Sequence, residues 1–341
     1  MSLLKIRKVI FEPDAFNMTD SVNILLCSDR NVIRGLGVTI VSILENIKQQ
    51  CSVHIAFNGE LPLEEEKRFE QLALRYRAAI YIYWINDDVL KTLNSNSYIT
   101  ITAYYRLLMP YVLKEFDVRK CLYLDTDTLC IHDFTKWYEQ LLGSNVAAVT
   151  KDATSQPYMR EKVTCHKLGM SGLQYFNSGI LLININEYVK EDIGYKAVNL
   201  CAQQKFGEMD QDVLNILLEG HVVFDDSYAY NCGMSVRNYE IPDCIYLIHF
   251  TGAKKPWKLC TSLLGDKTIS LFDKHSWKYH YYAVWRKYAE ISPWKEVPFD
   301  LPKNYREWRY LANMYFKSGR FLLAIRYYME YISCKRKKHK N

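Results

Sequence analysis

The sequence predicts an α/β fold with a mostly parallel sheet covered by helices. Two patterns carry the prediction. From residue 22 onward, short apolar strands alternate with amphipathic helices, and one strand runs directly into the carboxylate pair of Asp125-Thr126-Asp127. The composition agrees: 49% hydrophobic and 24% charged residues in 341 is a globular balance that excludes a wholly disordered chain. No apolar run approaches the ~18 residues that a membrane-spanning helix needs.

Taken in order, residues 22–28 read as a buried strand ending at Asp29. Gly35 and Gly37 open a helical pattern with apolar positions Val38, Val41, Ile43, Leu44 and Ile47. Residues 53–57 form a second strand. Pro62 precedes Leu63-Glu64-Glu65-Glu66, a helix start with acids where the helix dipole favours them. Residues 79–85, rich in β-branched and aromatic side chains, are a third strand. Helices are expected over 103–113 (despite Pro110), 134–142, 188–204 and 211–218, and strands over 121–124, 146–149, 176–183 and 245–250. The N-terminal segment carries no apolar stretch of the kind that a signal peptide needs.

We expect one catalytic domain over 22–280 and a helical, basic and aromatic region over 281–341. From Lys303 to Lys340 there are eleven Lys or Arg against two acids, Glu307 and Glu330, within a chain of net charge +6. The body is therefore mildly acidic and the tail basic, which points to an anionic surface. Aromatic and aliphatic residues, among them Trp308, Leu311, Phe316, Phe321, Leu322, Ile325, Tyr328 and Ile332, interleave with the basic ones. An interfacial helix or helix pair broken near Gly319 is expected. The ten cysteines show no Cys-x-x-Cys spacing, so reduced, largely buried thiols are expected rather than a zinc or dithiol site. No zinc-finger or RNA-binding motif is present, and nucleic acid is not expected as a partner.

In open α/β sheets, ligands bind beyond the carboxyl ends of the strands. Asp125 and Asp127 stand there, and in an extended segment residues i and i+2 point the same way, onto one hard divalent cation such as Mg²⁺ or Mn²⁺. A lone Asp-x-Asp is more often a solvated turn, so the neighbouring segments matter. In Ile248-His249-Phe250-Thr251-Gly252-Ala253-Lys254-Lys255-Pro256-Trp257, His249 can supply a third ligand, Gly252 permits close backbone approach and Lys255 can meet a phosphate. Asn177, in Phe176-Asn177-Ser178-Gly179, can bind sugar hydroxyls or satisfy a turn.

These segments, with Asp210-Gln211-Asp212-Val213-Leu214-Asn215, resemble the retaining family 8 glycosyltransferases over residues 23–257, and within them the bacterial lipopolysaccharide core α-glucosyl- and α-galactosyltransferases, which carry a segment similar to Ser292-Pro293-Trp294-Lys295. The resemblance implies the GT-A fold, a Rossmann-like mixed sheet flanked by helices. It implies transfer of glucose or galactose from a UDP-hexose to a hexose of the lipopolysaccharide outer core, forming an α linkage. It assigns Asp125, Asp127 and His249 to the ion, usually Mn²⁺ with Mg²⁺ as the alternative. Donor-binding positions are Asp29 and Asn31 (uridine and ribose), Arg106, Thr126 within the metal motif, Asn177, Gly252 and Lys255. Asp152, Asp210 and Gln211 match the catalytic positions around the hexose, where the two carboxylates can stabilise an oxocarbenium-like centre and Gln211 faces the anomeric carbon. An amide is a poor nucleophile, which favours front-face attack by the acceptor over a covalent glycosyl-enzyme. Arg30 departs from the pattern, standing where an acid often does. Without an export signal, and with the basic, aromatic tail over 303–341, the protein is expected in the cytoplasm, peripheral on the inner face of the cytoplasmic membrane. A glycogenin-like self-glucosylating protein, or a transferase acting on another surface glycan, shares the donor motifs and is the alternative.

Overall fold

The structure, a computed structural model, describes residues 2–91, 93, 101–153, 159–237, 240–266, 269 and 277–338, with the side chains of 159–161 set aside. His339 and Lys340, the end of the basic run, lie outside the described residues. The chain divides into two compact units, Met1–His249 and Phe250–Asn341.

The first unit is built on an eight-stranded sheet. Its strands are β1 (Leu4–Phe11), β2 (Val22–Asp29), β3 (Cys51–Asn58), β4 (Ala79–Ile85), β5 (Lys120–Leu124), β7 (Ala147–Lys151), β8 (Phe176–Asn184) and β9 (Val222–Asp225), in the order β1-β4-β3-β2-β5-β8-β7-β9. The strands β4, β3, β2 and β5 are parallel neighbours. The predicted β-α-β-α-β unit is therefore present, with helices Ile33–Asn46 and Leu63–Tyr76 as its crossovers. β8 runs antiparallel to both β5 and β7, making the sheet mixed.

Both faces of the central strands are covered, which is why they read as continuous apolar runs rather than alternating ones. In β2, Leu25 and Cys27 face a core shared with Leu107, Leu108 and Val112 of helix Tyr105–Lys114, while Ile24 and Leu26 are fully buried as well. The helix expected over 188–204 is two helices, Ile185–Lys190 and Ile193–Gln203, separated where Asp192 adopts a left-handed conformation (φ 53°). The cysteines Cys27, Cys51 and Cys121 are buried as expected, and burial pushes the Cys51 thiol up to about 12.

A second, three-stranded sheet positions the site. β10 (Cys232–Gly233) pairs parallel with β11 (Leu247–His249), and β11 pairs antiparallel with β6 (Thr128–Cys130). Its register sets His249 opposite both Gly233 and Thr128.

The second unit contains helices Trp277–Ile291, Tyr305–Lys317 and Phe321–Lys338. Asn304 caps the middle one, its side chain accepting from the backbone N–H groups of Arg306 and Glu307 at 3.0 Å each. The chain reverses at Gly319 (φ 75°), where a break was expected. The last two helices pack through Trp308 and Tyr315, whose rings lie 6.0 and 5.0 Å from that of Tyr327. Leu311, Ala312, Met314 and Tyr315 are buried, and Glu307 pairs with Lys258 at 3.0 Å. The first half of the basic tail is thus core of the second unit. The opposite face of Phe321–Lys338 exposes Leu322 (85%), Ile325 (61%) and Met329 (66%).

Candidate active site

Asp125 follows the last residue of β5, and its backbone N–H donates to the carbonyl of Gly179 on neighbouring β8 (2.8 Å). The chain then turns, with the Thr128 N–H and hydroxyl both donating to the Asp125 carbonyl (3.2 and 2.9 Å). Thr39 Oγ1 lies 3.0 and 2.8 Å from the carbonyls of Thr126 and Thr128 and pins this turn to helix Ile33–Asn46. The two carboxylates therefore converge through a turn, and not through the extended i, i+2 geometry anticipated from sequence.

His249 arrives from the second sheet. Its Nε2 lies 3.6 Å from Asp125 Oδ2 and 3.3 Å from Asp127 Oδ1. One ligand atom from each of the three residues lies within 4.8 Å of the others. Two carboxylate oxygens and an imidazole nitrogen suit a divalent ion. Gly179 makes the space. A Cβ there would stand 2.4 Å from His249 Cε1 and 2.6 Å from Asp125 Oδ2, so no other residue fits without moving a ligand.

Asp125 is divided between two tasks. Oδ1 accepts from Tyr123 Oη (2.5 Å) and from a terminal nitrogen of Arg106 (3.3 Å), leaving Oδ2 toward His249. Burial holds the Tyr123 phenol well above its ordinary pKa, so it stays a donor. Arg106 also donates to the Ser178 carbonyl (2.8 Å). Its Nε lies 2.8 Å from Asp210 Oδ2, although the Nε–H itself points to the Ala103 carbonyl (3.1 Å). Burial lowers the pKa of Arg106, but the carboxylates of Asp210 and Asp125 outweigh it and leave the pKa raised. Asp210 is 1% exposed; burial raises its pKa and Arg106 opposes that. It follows Met209, whose φ of 53° is a strained conformation for a side-chain-bearing residue.

Beside this cluster stands an amide-lined wall. Asn177 Nδ2 donates to Asp152 Oδ1 (3.2 Å) and to Gln211 Oε1 (3.1 Å). Gln211 Oε1 also accepts from the Ser178 N–H (3.0 Å), and Gln211 Nε2 donates to Tyr175 Oη (3.3 Å). Asn231, absent from the sequence reading, joins the two halves: its amide reaches His249 Nδ1 and Asn177 Oδ1, each at 3.0 Å.

The sequence-derived residues Asp125, Asp127, His249, Arg106, Asp210, Asn177, Asp152 and Gln211 are thus brought into one connected network, with Thr126 in the turn between the first two. Asp29 ends β2, beside β5 at the same carboxyl edge, and accepts from the Asn31 N–H (2.8 Å). Gly252 and Lys255 belong to the second unit. There Gly252 has φ 80°, and Lys255 Nζ donates to the Phe250 carbonyl (3.0 Å).

The chain as a whole resembles known proteins. Residues 23–260 match glycosyl transferase family 8, and residues 279–335 match the family 8 C-terminal region. The chain is 30% identical over 333 residues to a lipopolysaccharide 1,3-galactosyltransferase of Salmonella typhimurium, covering 93% of this chain and 92% of that protein. It is 29% identical over 325 residues to the lipopolysaccharide glucosyltransferase WaaO of Escherichia coli K12, covering 89% and 88%. The fold superposes on that of the galactosyltransferase LgtC with a TM-score of 0.62 at 23% identity, over 77% of this chain and 95% of that one, which makes it a GT-A fold. A mixed sheet with an Asp-Asp-His cluster at its carboxyl edge, in a chain matched over most of its length by one family, leads to one conclusion: the chain belongs to glycosyl transferase family 8.

Proposed function

We propose that the protein is a divalent-metal-dependent, retaining hexosyltransferase that moves glucose or galactose from a UDP-hexose to a hexose of the lipopolysaccharide outer core, forming an α linkage. The observation that carries this reading is the junction of the Asp125–Asp127–His249 cluster with the Asn177–Asp152–Gln211 wall, a charge-binding half beside a hydroxyl-binding half. The names of the two relatives at 30% and 29% identity support the lipopolysaccharide acceptor over self-glucosylation.

When bound, Mn²⁺ or Mg²⁺ held by Asp125, Asp127 and His249 supplies positive charge beside the departing diphosphate. Arg106 fixes Asp125 and adds a second positive charge. Asp210, almost wholly buried, acts on the donor by holding Arg106. Asp29 and Asn31 are assigned to the uridine and ribose, and Gly252 and Lys255 to the diphosphate, on the family motif. Asn177 and Asp152 bind hexose hydroxyls. The Gln211 carbonyl oxygen already accepts from two fixed donors, the Ser178 N–H and Asn177 Nδ2, so its lone pairs are poorly placed to attack carbon. This supports front-face attack by the acceptor hydroxyl, with the departing phosphate oxygen taking its proton.

We assign residues 22–280 to catalysis and 281–341 to the membrane, on the cytoplasmic face. One observation supports the second assignment. The exposed Leu322, Ile325 and Met329 lie on one side of a helix that ends in Lys335, Arg336, Lys337 and Lys338. Among the described residues no helix is long and apolar enough to cross a membrane.

The test is an assay of UDP release over a panel of UDP-sugars with truncated core lipopolysaccharide as acceptor, the product linkage read by NMR. An α-linked hexose from UDP-glucose or UDP-galactose is expected. Release with neither sugar, or a β product, overturns the reading.

A further inference from the structure

We propose that Asn231 is a positioning residue that sets the tautomer of His249 for cation binding and, through Asn177, ties the cation cluster to the wall that holds Gln211. The inference rests on the metal-dependent reading above and concerns a residue outside both the ligand set and the hexose wall.

The polarity of the chain of amides follows from two backbone groups that can only donate. The Gly179 N–H lies 3.1 Å from one end of the Asn177 amide, so that end is the carbonyl oxygen. Asn231 approaches the same oxygen at 3.0 Å and must present its NH₂ group to it. The other end of Asn231, 3.0 Å from His249 Nδ1, is therefore its carbonyl oxygen. An acceptor facing Nδ1 requires a proton there, and in a neutral imidazole this leaves Nε2 with a lone pair. That lone pair faces Asp125 Oδ2 and Asp127 Oδ1 at 3.6 and 3.3 Å. Three acceptors converging on one point call for a cation among them. On the far side, the Ser178 N–H donates to Gln211 Oε1, so the other end of Asn177, which also faces that oxygen, is again NH₂. Both backbone anchors give the same polarity.

Burial makes the arrangement decisive. Asn231 is 2% and His249 3% exposed, so water cannot readily replace a lost partner. Asn231 directly precedes β10, whose Gly233 pairs with His249, so the strand that carries the amide is registered on the strand that carries the ligand. Orientation of a ligating histidine through its second nitrogen commonly governs metal affinity ~10–100-fold.

Two substitutions separate the two halves of the proposal. Asn231→Leu removes both bonds. Asn231→Asp keeps an acceptor for His249 Nδ1 but cannot donate to Asn177. Mn²⁺ binding is measured by loss of the free-ion EPR signal, without donor or turnover, and kcat and KM are measured separately. Asn231→Leu should weaken Mn²⁺ binding ~10–100-fold. Asn231→Asp should hold Mn²⁺ within ~3-fold of wild type while kcat falls ~10-fold or more. Wild-type Mn²⁺ affinity and kcat in both variants would overturn the proposal. If wild type itself binds no Mn²⁺, the metal-dependent reading fails first and takes this inference with it. Should Asn231→Leu not fold, ¹⁵N-histidine NMR of the metal-free wild type, with His249 assigned by its loss in His249→Gln, decides the case. An Nδ1–H tautomer in the neutral ring supports the proposal, and an Nε2–H tautomer refutes it.

Discussion

Gly179 shows how much of a site can rest on a missing side chain. Gly179→Ala would set a methyl against His249 and Asp125 at separations no real Cβ tolerates, in a strand otherwise paired on both sides. We expect kcat/KM to fall at least ~10²-fold, as for loss of a charge-stabilising group, with the far-UV circular dichroism unchanged. Activity close to wild type would mean that the cluster has slack the geometry denies. Asp127→Ala removes one ligand outright and should cost a similar factor in kcat/KM. The residue types Asp125, Asp127 and His249 were legible in the sequence, because acids after an apolar strand and a His before Phe-Thr-Gly carry their own chemistry. Asn231 was not. Its partner is 18 residues away and is met only through the register of a two-residue strand, which has no periodicity to read.

At the scale of elements, the strands that both faces bury announced themselves as apolar runs, and β2 to β5, β7 and β8 lie close to where they were expected. β1 did not, because it is an antiparallel edge strand with Lys5, Ile6, Lys8 and Val9 exposed, so no clean alternation marks it. Strands β6 and β10, of three and two residues, are too short to leave a pattern, whereas β11 falls within the strand expected over 245–250. Beneath β2, β3 and β4 lies a buried polar group in which His54 meets Tyr83 Oη (2.9 Å), Asn23 Oδ1 (3.0 Å) and Ser52 Oγ (3.2 Å). Burial, aided by the charge of Arg7, lowers the His54 pKa from 6.5 to about 3. Between those values the unfolded chain binds the extra proton, so the contribution of His54 is complete above the unfolded pKa and is lost as pH falls toward 3. From pH 7 to 4.5 the cost should be about 2–3 kcal/mol. Urea unfolding at both pH values measures it: His54→Asn, whatever its own stability, should show a smaller drop than wild type, and equal drops would refute the assignment. The helix Leu63–Tyr76 ends on Arg77 in a left-handed conformation (φ 51°, ψ 40°). Arg77→Gly should therefore raise stability by about 0.5–1 kcal/mol, read as a higher urea midpoint; an unchanged or lower midpoint contradicts this.

For the whole molecule, the basic tail is not an appendage. Because Leu311, Met314 and Tyr315 are buried within the second unit, deletion from residue 303 would strip a core rather than release an anchor. Surface substitutions are the sharper tool. Changing Leu322, Ile325 and Met329 together to Ser should leave the melting temperature within a few degrees and sharply reduce co-sedimentation with vesicles containing anionic lipid, since ~25 cal/mol of insertion energy is lost per Å² of apolar surface. Undiminished binding by the folded triple variant removes the membrane assignment without touching the catalytic one.

That catalytic assignment turns on the cation. Purified protein should be stripped with EDTA, and UDP release from its preferred UDP-hexose followed in the presence of acceptor. Release should fall to background in EDTA and recover fully when Mn²⁺ is added in excess, because Asp125, Asp127 and His249 converge on one point. Near wild-type release from metal-free protein would contradict the assignment.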